Sequence, residues 1–253
     1  MIKKKIRKRE TTANKIAASR PLINDETPFA VREAYVKLRT NLRFCVTADK
    51  ERPCKVFAFT SPKPQEGKSL TSANTAISFA MLGKETLLVD TDLRKPVQHR
   101  IWRIPYTTGL CDYLARICPL ELIKVNDLPL SIACTGTIPP NPSELLSSDR
   151  MKQFVEYCSE RYDYVILDTP PINTVADAQI ISTFVDGVVI VAKSGSTTSD
   201  ELNAAIEAVH HAGGNLCGVV LNNLNMKSLK SSYRYKSNHG DEYSEYYQTQ
   251  RTE

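Results

Sequence analysis

The sequence has no apolar run near the length of roughly 20 residues that a membrane-spanning helix requires. Its basic start, MIKKKIRKRE, is not followed by the apolar segment of a secretory signal peptide. These two absences predict a protein that is made and kept in the cytoplasm.

Cysteine and histidine lack the spacing of a disulfide framework or a metal cage. The seven cysteines are odd in number and include no C-x-x-C pair. Among the four histidines, His210 and His211 are sequence neighbours, which point to different sides of a helix. We therefore expect reduced cysteines and no zinc site.

No Gly/Ser linker and no internal repeat divides the chain, and its 42% hydrophobic and 24% charged residues are ordinary for a globular protein. Between about residues 30 and 225, continuous apolar strands alternate with helical patterns. This alternation predicts an α/β fold, a mostly parallel sheet flanked by helices. The predicted helices are 30–44, 69–83, 149–162 and 199–213, and the predicted strands are 55–60, 86–90, 128–134, 164–168, 187–192 and 216–223.

The pattern predicts three segments: a basic N-terminal arm and loop at 1–29, an α/β domain at 30–225 and a flexible tail at 226–253. The arm is either solvated or a contact for an anionic membrane surface or an acidic partner. The tail is unusual because polar, disordered segments are normally poor in aromatic residues. It carries five tyrosines, Tyr233, Tyr235, Tyr243, Tyr246 and Tyr247, so either the rings pack or their hydroxyls are used.

The segment TSPKPQEGKSLT predicts a phosphate-binding loop, because a strand enters it and a helix begins at Gly67-Lys68-Ser69. Pro62 and Pro64 have no amide hydrogen to donate. The donors around a nucleotide are therefore expected from the following residues: Gln65, Glu66, Gly67, Lys68, Ser69 and Leu70. Lys68 is expected to be a point charge aimed at the β/γ-phosphates of ATP and not a core residue.

Three aspartates end predicted strands: Asp90 and Asp92 follow LLV, and Asp168 follows YVIL. Ligands of open α/β sheets bind at this carboxyl edge. Mg²⁺ prefers oxygen ligands from protein, phosphate and water. We therefore expect a magnesium site formed by Ser69, Asp90, Asp92 and Asp168.

In order along the chain, EAYVKLRTNL, SPKPQEGKS, LLVDTDLRKP, TGLCDYLA, PPNPSELLSSDRM, YDYVILDTPP, ADAQIISTFVDGVVIV and the terminal tyrosines are similar to the bacterial tyrosine kinases of capsule and exopolysaccharide synthesis. The resemblance implies a P-loop NTPase of the MinD/ParA-like branch. It also implies Walker A at Gly67-Lys68-Ser69, Walker A′ at Asp90 and Asp92, Walker B at Asp168, and autophosphorylation of the tail tyrosines.

The same resemblance implies partners. These are a membrane-spanning polysaccharide co-polymerase whose cytoplasmic tail activates the kinase, a cognate tyrosine phosphatase and further copies of the chain, with no nucleic acid. It places the protein in the cytoplasm, peripheral at the inner face of the plasma membrane.

Three positions depart from the family pattern. Gln65 stands where family loops have a glycine, and Val36 replaces the middle arginine of an E-x-x-R-x-x-R oligomerisation motif that retains Glu33 and Arg39. Lys63 occupies the position of the signature lysine of MinD/ParA-like ATPases, and it is either that lysine or a solvated loop residue.

Phosphoryl transfer depends on positioning and charge neutralisation, and the expected catalytic residues are Lys68, Asp90 and Asp92. Either aspartate could accept the tyrosine proton, and Asp90 is the first choice because it lies nearer the strand end. Arg94 and Lys95 either stabilise the transferring charge or are solvated. Asn222 either contacts adenine or ends a strand. The alternative functions are a MinD/ParA-like ATPase switch without tyrosine phosphorylation and a nucleotide-binding scaffold without turnover.

Overall fold

The computed structural model describes residues 7–8, 22–46, 54–105 and 108–224. The strands are β1 (Arg7–Lys8), β2 (Lys55–Thr60), β3 (Thr86–Asp90), β4 (Glu121–Lys124), β5 (Leu130–Ala133), β6 (Tyr164–Asp168), β7 (Gly187–Lys193) and β8 (Leu216–Asn222). The helices are α1 (Phe29–Cys45), α2 (Lys68–Ala80), α3 (Gln98–Ile101), α4 (Leu110–Leu114), α5 (Pro142–Ser147), α6 (Asp149–Ser159), α7 (Asp177–Ser182) and α8 (Ser199–His211).

The strands form one sheet in the order β1-β4-β5-β3-β6-β2-β7-β8. Every neighbouring pair is parallel except β4 and β5, which are antiparallel. The central strands β3, β6 and β2 therefore end at the same edge, and the register pairs Asp90 with Asp168. The predicted α/β fold with a mostly parallel sheet is confirmed.

The core lies on both faces of the sheet because alternate residues of each strand point to opposite sides. In β2, Val56 and Ala58 join a cluster with helix α6, while Phe57 and Phe59 join a second cluster with helix α2. The continuous apolar runs of the central strands follow from this double burial.

Helix α1 packs against α2, and it buries fewer residues than its apolar spacing predicts. Leu42 is buried, whereas Val31, which the spacing places on the same face, is exposed. The guanidinium of Arg39 crosses to α2, where Nη1 donates to the Ser78 carbonyl at 2.5 Å. Arg39 thus has an intramolecular contact whatever its role in assembly.

The long predicted elements are present, and the short elements are the ones that sequence analysis missed. Strand β4 and helices α3, α4, α5 and α7 have four to six residues each. Apolar periodicity cannot be recognised over so few positions. The predicted ends of α2, α6 and α8 extend two or three residues too far, because each helix finishes before its glycine or tyrosine terminator.

None of the helices in the described part of the chain is long and apolar enough to cross a membrane. None of the seven cysteines, which all lie in the described ranges, forms a disulfide bond. Contacts divide the chain into two units, residues 1–222 and 223–253, and the elements from β1 to β8 belong to the first. The five tail tyrosines lie outside the described residues.

Phe79 of α2 is fully buried, and its ring stacks on that of Tyr164 with centroids 3.8 Å apart. We expect Phe79→Ala to lower the free energy of unfolding by about 3–5 kcal/mol, because a buried ring is replaced by a cavity. Phe44→Ala is the matched control, since Phe44 is 80% exposed, and should change that free energy by no more than about 0.5 kcal/mol. Equal losses in urea denaturation would contradict the packing of α2 on the sheet.

Candidate active site

The loop between β2 and α2 has a conformation that only a small set of residues accepts. Gly67 has φ 85°, and a Cβ atom there would lie 2.0 Å from Nδ2 of Asn222. Gln65 also has a positive φ, 65°, at the position where family loops have glycine. A side chain in this region costs about 1–2 kcal/mol, so the loop retains the glycine-like backbone without the glycine.

The start of α2 presents unpaired amides to the loop. The first bond of the helix runs from the Thr71 amide to the Gly67 carbonyl at 2.9 Å. The amides of Lys68, Ser69 and Leu70 come before this bond, and they have no acceptor within the helix, as at any helix N-terminus. Such amides, together with the helix dipole, bind anions.

The loop is held in place by hydrogen bonds of Glu66, a buried residue. Its carboxylate accepts from the Lys63 amide at 3.1 Å and from the Thr197 hydroxyl, and its carbonyl accepts from Asn222 Nδ2 at 2.9 Å. Glu66 therefore links the loop through its side chain to the turn after β7 and through its carbonyl to the end of β8. Asn222, which the sequence analysis left open as an adenine contact or a strand end, is the last residue of β8 and bonds to this loop.

Lys68 is buried, and its Nζ lies 2.5 Å from Oδ1 of Asp168, which is fully buried. The same Nζ lies 3.1 Å from the Ser69 hydroxyl. The expectation that Lys68 lies outside the core is therefore wrong, because the residue is buried. The ammonium neutralises a buried carboxylate, because a buried charge without a partner is strongly disfavoured.

Asp90 ends β3 beside Asp168, and its carboxylate is occupied by backbone amides. Oδ2 accepts from Val97 at 3.1 Å and from Gln98 at 2.9 Å, which caps α3. Burial raises the pKa of Asp90 above its usual range, and the charge of Asp168 raises it further. The Gln98 amide bond and Lys68 oppose this rise.

Asp92 lies in the turn after β3 and is slightly less buried than Asp90. Its amide donates to Oδ1 of Asp90 at 3.3 Å, and its own Oδ1 accepts from the Lys95 amide at 2.9 Å. Burial raises the pKa of Asp92 as well, and Lys68 opposes that rise. Both aspartates thus lie at the carboxyl end of β3, Asp90 as its last residue and Asp92 in the turn that follows.

Gln98 is the main site residue that the sequence analysis missed. Its side-chain amide donates to Oδ2 of Asp168 at 2.8 Å and to the Ser69 carbonyl at 2.9 Å. A glutamine that follows DLRKPV on a four-residue helix carries no pattern of its own. Only the fold reveals its position between the three motifs.

Two other cations are directed away from the phosphate loop. Nζ of Lys63 bonds to the Glu201 carboxylate at 2.8 Å, and Nε of Arg94 bonds to buried Asp177 at 2.8 Å. Lys63 thus has an intramolecular ion pair with Glu201 of α8. Arg94 thus has an ion pair with a buried acid that the sequence did not indicate.

The arrangement fits a magnesium nucleotide. The free amides at the start of α2 suit phosphate oxygens, and buried Lys68 supplies the charge. Within the described residues, no group of three or more His, Cys, Asp and Glu side chains is arranged as a metal cage. Mg²⁺ takes only one or two protein carboxylates and completes its shell with phosphate and water, so Ser69 and the aspartates suffice.

A protein-family model identifies the general class to which the chain belongs. The family model described as ParA, NUBPL iron-transfer P-loop NTPase, matches residues 54–252. The chain is therefore a nucleotide-binding P-loop NTPase with a ParA/MinD-like fold.

Individual relatives narrow the class. Tyrosine-protein kinase YwqD of Bacillus subtilis (strain 168) is 42% identical over 205 residues, which cover 80% of this chain and 85% of YwqD. Putative tyrosine-protein kinase CapB of Staphylococcus aureus is 34% identical over 226 residues, 88% of this chain and 98% of CapB. The crystal structure of the chimerical protein CapA2B2 superposes with a TM-score of 0.73 at 34% identity, over 85% of this chain and 92% of that one. The chain belongs to the bacterial tyrosine-protein kinases.

Replacing Asp90 should stabilise the nucleotide-free protein more at high pH than at low pH. Because the folded state binds the Asp90 proton more tightly than the unfolded chain does, stability falls as the pH rises from about 4 towards the raised pKa. Asp90→Asn removes that loss and can keep an oxygen for the two α3 amides.

The measured quantity is the melting temperature of Asp90→Asn minus that of the unsubstituted protein. We expect this difference to increase from pH 5 to pH 8. About 2–4 °C is the shift for each 1 kcal/mol in a chain of this size. The measurement is thermal unfolding in EDTA. Asp200→Asn, a surface change at the start of α8, is the control and should show a constant difference. If the difference for Asp90→Asn is constant as well, the result contradicts a raised pKa of the buried Asp90 carboxyl.

Proposed function

We propose that the protein is an ATP-dependent tyrosine autokinase that transfers the γ-phosphate to C-terminal tyrosines of a neighbouring copy. The observation that supports this most is the Lys68–Asp168 pair at the mouth of a P-loop, beside Asp90 and Asp92. Membership of the tyrosine-protein kinases supports the acceptor chemistry.

Lys68 and the amides from Gln65 to Leu70 bind the phosphates in this proposal. Ser69 and Asp168 hold Mg²⁺, with Asp90 and Asp92 next to them. When bound, the metal neutralises charge on the phosphate oxygens and orients them. Lys68 must leave Asp168 to reach the nucleotide, so its charge moves from the carboxylate to the phosphates.

A base is needed for the tyrosine proton, and the proposal keeps Asp90 and Asp92 as candidates. The raised pKa of Asp90 suits a proton acceptor. However, Asp90 is fully buried and one of its oxygens caps α3, whereas Asp92 lies further out in the turn. We therefore prefer Asp92 for contact with the incoming hydroxyl and Asp90 for holding the metal side of the site.

The acceptors in this proposal are the five tail tyrosines. Each phosphotyrosine adds a charge of about −1.5 to −2, so five add roughly −8 to −10, which makes a +5 chain negative. That charge would repel neighbouring tails and weaken their docking beside three aspartates. Phosphorylation is therefore expected to loosen the assembly.

We further propose that this cycle regulates the polymerisation and export of a capsular or extracellular polysaccharide. The support is the resemblance to capsule kinases, together with the similarity to the putative tyrosine-protein kinase CapB and to the chimerical protein CapA2B2. A membrane-spanning co-polymerase would activate the kinase and hold it at the inner face of the plasma membrane, and a tyrosine phosphatase would reverse the modification.

The test separates transfer between subunits from transfer within one subunit. An acceptor chain carries Lys68→Met together with Asp168→Asn, because removing Lys68 alone would leave a buried unpaired carboxylate, at a cost of about 3–5 kcal/mol. It is mixed with unsubstituted protein truncated after Asn225, which has no tail. After incubation with Mg·ATP, mass spectrometry should find phosphotyrosine on the acceptor chain. The same acceptor with its five tail tyrosines changed to Phe should remain unlabelled.

Other outcomes are equally decisive. An unlabelled acceptor, when the full-length unsubstituted protein labels itself, would rule out transfer between subunits. ADP without any phosphotyrosine would indicate the ATPase switch. An acceptor chain that labels itself without the truncated protein would remove Lys68 and Asp168 from the site.

A further inference from the structure

Gln98, the first residue of α3, is fully buried, and all of its polar groups are engaged. Its backbone amide donates to Asp90 at 2.9 Å. Its side-chain Nε2 donates to Oδ2 of Asp168 and to the Ser69 carbonyl, and its Oε1 accepts from the Trp102 indole at 3.1 Å. One residue therefore contacts all three nucleotide motifs.

The orientation of the Gln98 amide is fixed by its neighbours. The Asp168 carboxylate and the Ser69 carbonyl can only accept hydrogen bonds, and the Trp102 indole can only donate one. A flipped amide would place oxygen against two acceptors and NH₂ against a donor. The amide nitrogen must therefore face Asp168 and Ser69.

This orientation divides the two oxygens of Asp168 between different tasks. Oδ2 is held by Gln98 at 2.8 Å, and Oδ1 is the oxygen that pairs with Lys68 at 2.5 Å. With Oδ2 held, the carboxylate cannot rotate freely, and Oδ1 stays directed at the phosphate loop. The same amide fixes the backbone of Ser69, whose hydroxyl lies beside Lys68.

We propose that Gln98 is a positioning residue that holds Asp168 and Ser69 in the orientation that magnesium binding requires, with Trp102 fixing the amide from behind. The inference rests on the proposed function in assigning the metal to Ser69 and Asp168. It goes further by naming the residue that sets their geometry. Partners of this kind, which bond to metal ligands without touching the metal, typically contribute about 10- to 100-fold to metal affinity or activity.

The experiment measures ADP binding by isothermal titration calorimetry, once with Mg²⁺ and once with EDTA. The quantity of interest is the ratio of the two affinities, which isolates the contribution of the metal. Gln98→Met keeps the size and the backbone amide while removing the side-chain bonds. Gln153→Met is the matched control, because Gln153 is exposed on α6.

We expect Gln98→Met to reduce the ratio about tenfold or more, with unchanged affinity in EDTA, and Gln153→Met to leave both values unchanged. If Gln98→Met does not fold, Gln98→Asn replaces it, because it keeps the amide but shortens the reach to Asp168. It should reduce the ratio in the same direction.

Two results would overturn the inference. One is a wild-type ratio in the Gln98 variant, and the other is an equal loss of affinity in Mg²⁺ and in EDTA, which would mean a purely structural role. A ratio near one in the unsubstituted protein would instead refute the proposed metal site, and with it the inference. Because tail labelling is not measured, a failure of transfer between subunits leaves this test unaffected.

Discussion

Lys68 and Asp168 meet in the interior of the protein, 2.5 Å apart, and the chemistry of the site depends on this contact. The parallel sheet brings Asp90 and Asp168 into register at one edge, and the next turn adds Asp92. Burying three carboxyl groups together is unfavourable unless a cation is near or some of them keep a proton. Lys68 supplies that cation in the nucleotide-free state, and a magnesium nucleotide offers a replacement for it.

The strand-loop-helix geometry places the lysine at this point. Gly67 has a left-handed backbone beside Asn222, and Glu66 links the loop to the turn after β7 and to the end of β8. Gln65 adopts a positive φ, a conformation that favours glycine, so the loop has a glycine-like backbone at this position without a glycine. The loop and the Lys68–Asp168 pair therefore belong to one site.

Sequence reasoning found the α/β fold and the strand-end aspartates because long apolar runs and their carboxyl ends are visible in one dimension. It could not find Gln98, whose importance arises from residues 29 positions before it and 70 after it. It also did not indicate the ion pairs of Lys68 and Arg94, since nothing near these residues in sequence shows the buried acids, Asp168 and Asp177, that they contact. What could not be predicted from the sequence were hydrogen bonds and ion pairs between residues that are far apart along the chain.

The central claim is that Lys68 exchanges the Asp168 carboxylate for phosphate when nucleotide binds. Crystal structures with and without Mg²⁺ and a non-hydrolysable ATP analogue test it most directly. Without nucleotide, Nζ of Lys68 should remain on Oδ1 of Asp168. With nucleotide, it should leave that oxygen and contact the phosphates. A bound nucleotide beside an unbroken Lys68–Asp168 pair would contradict the account.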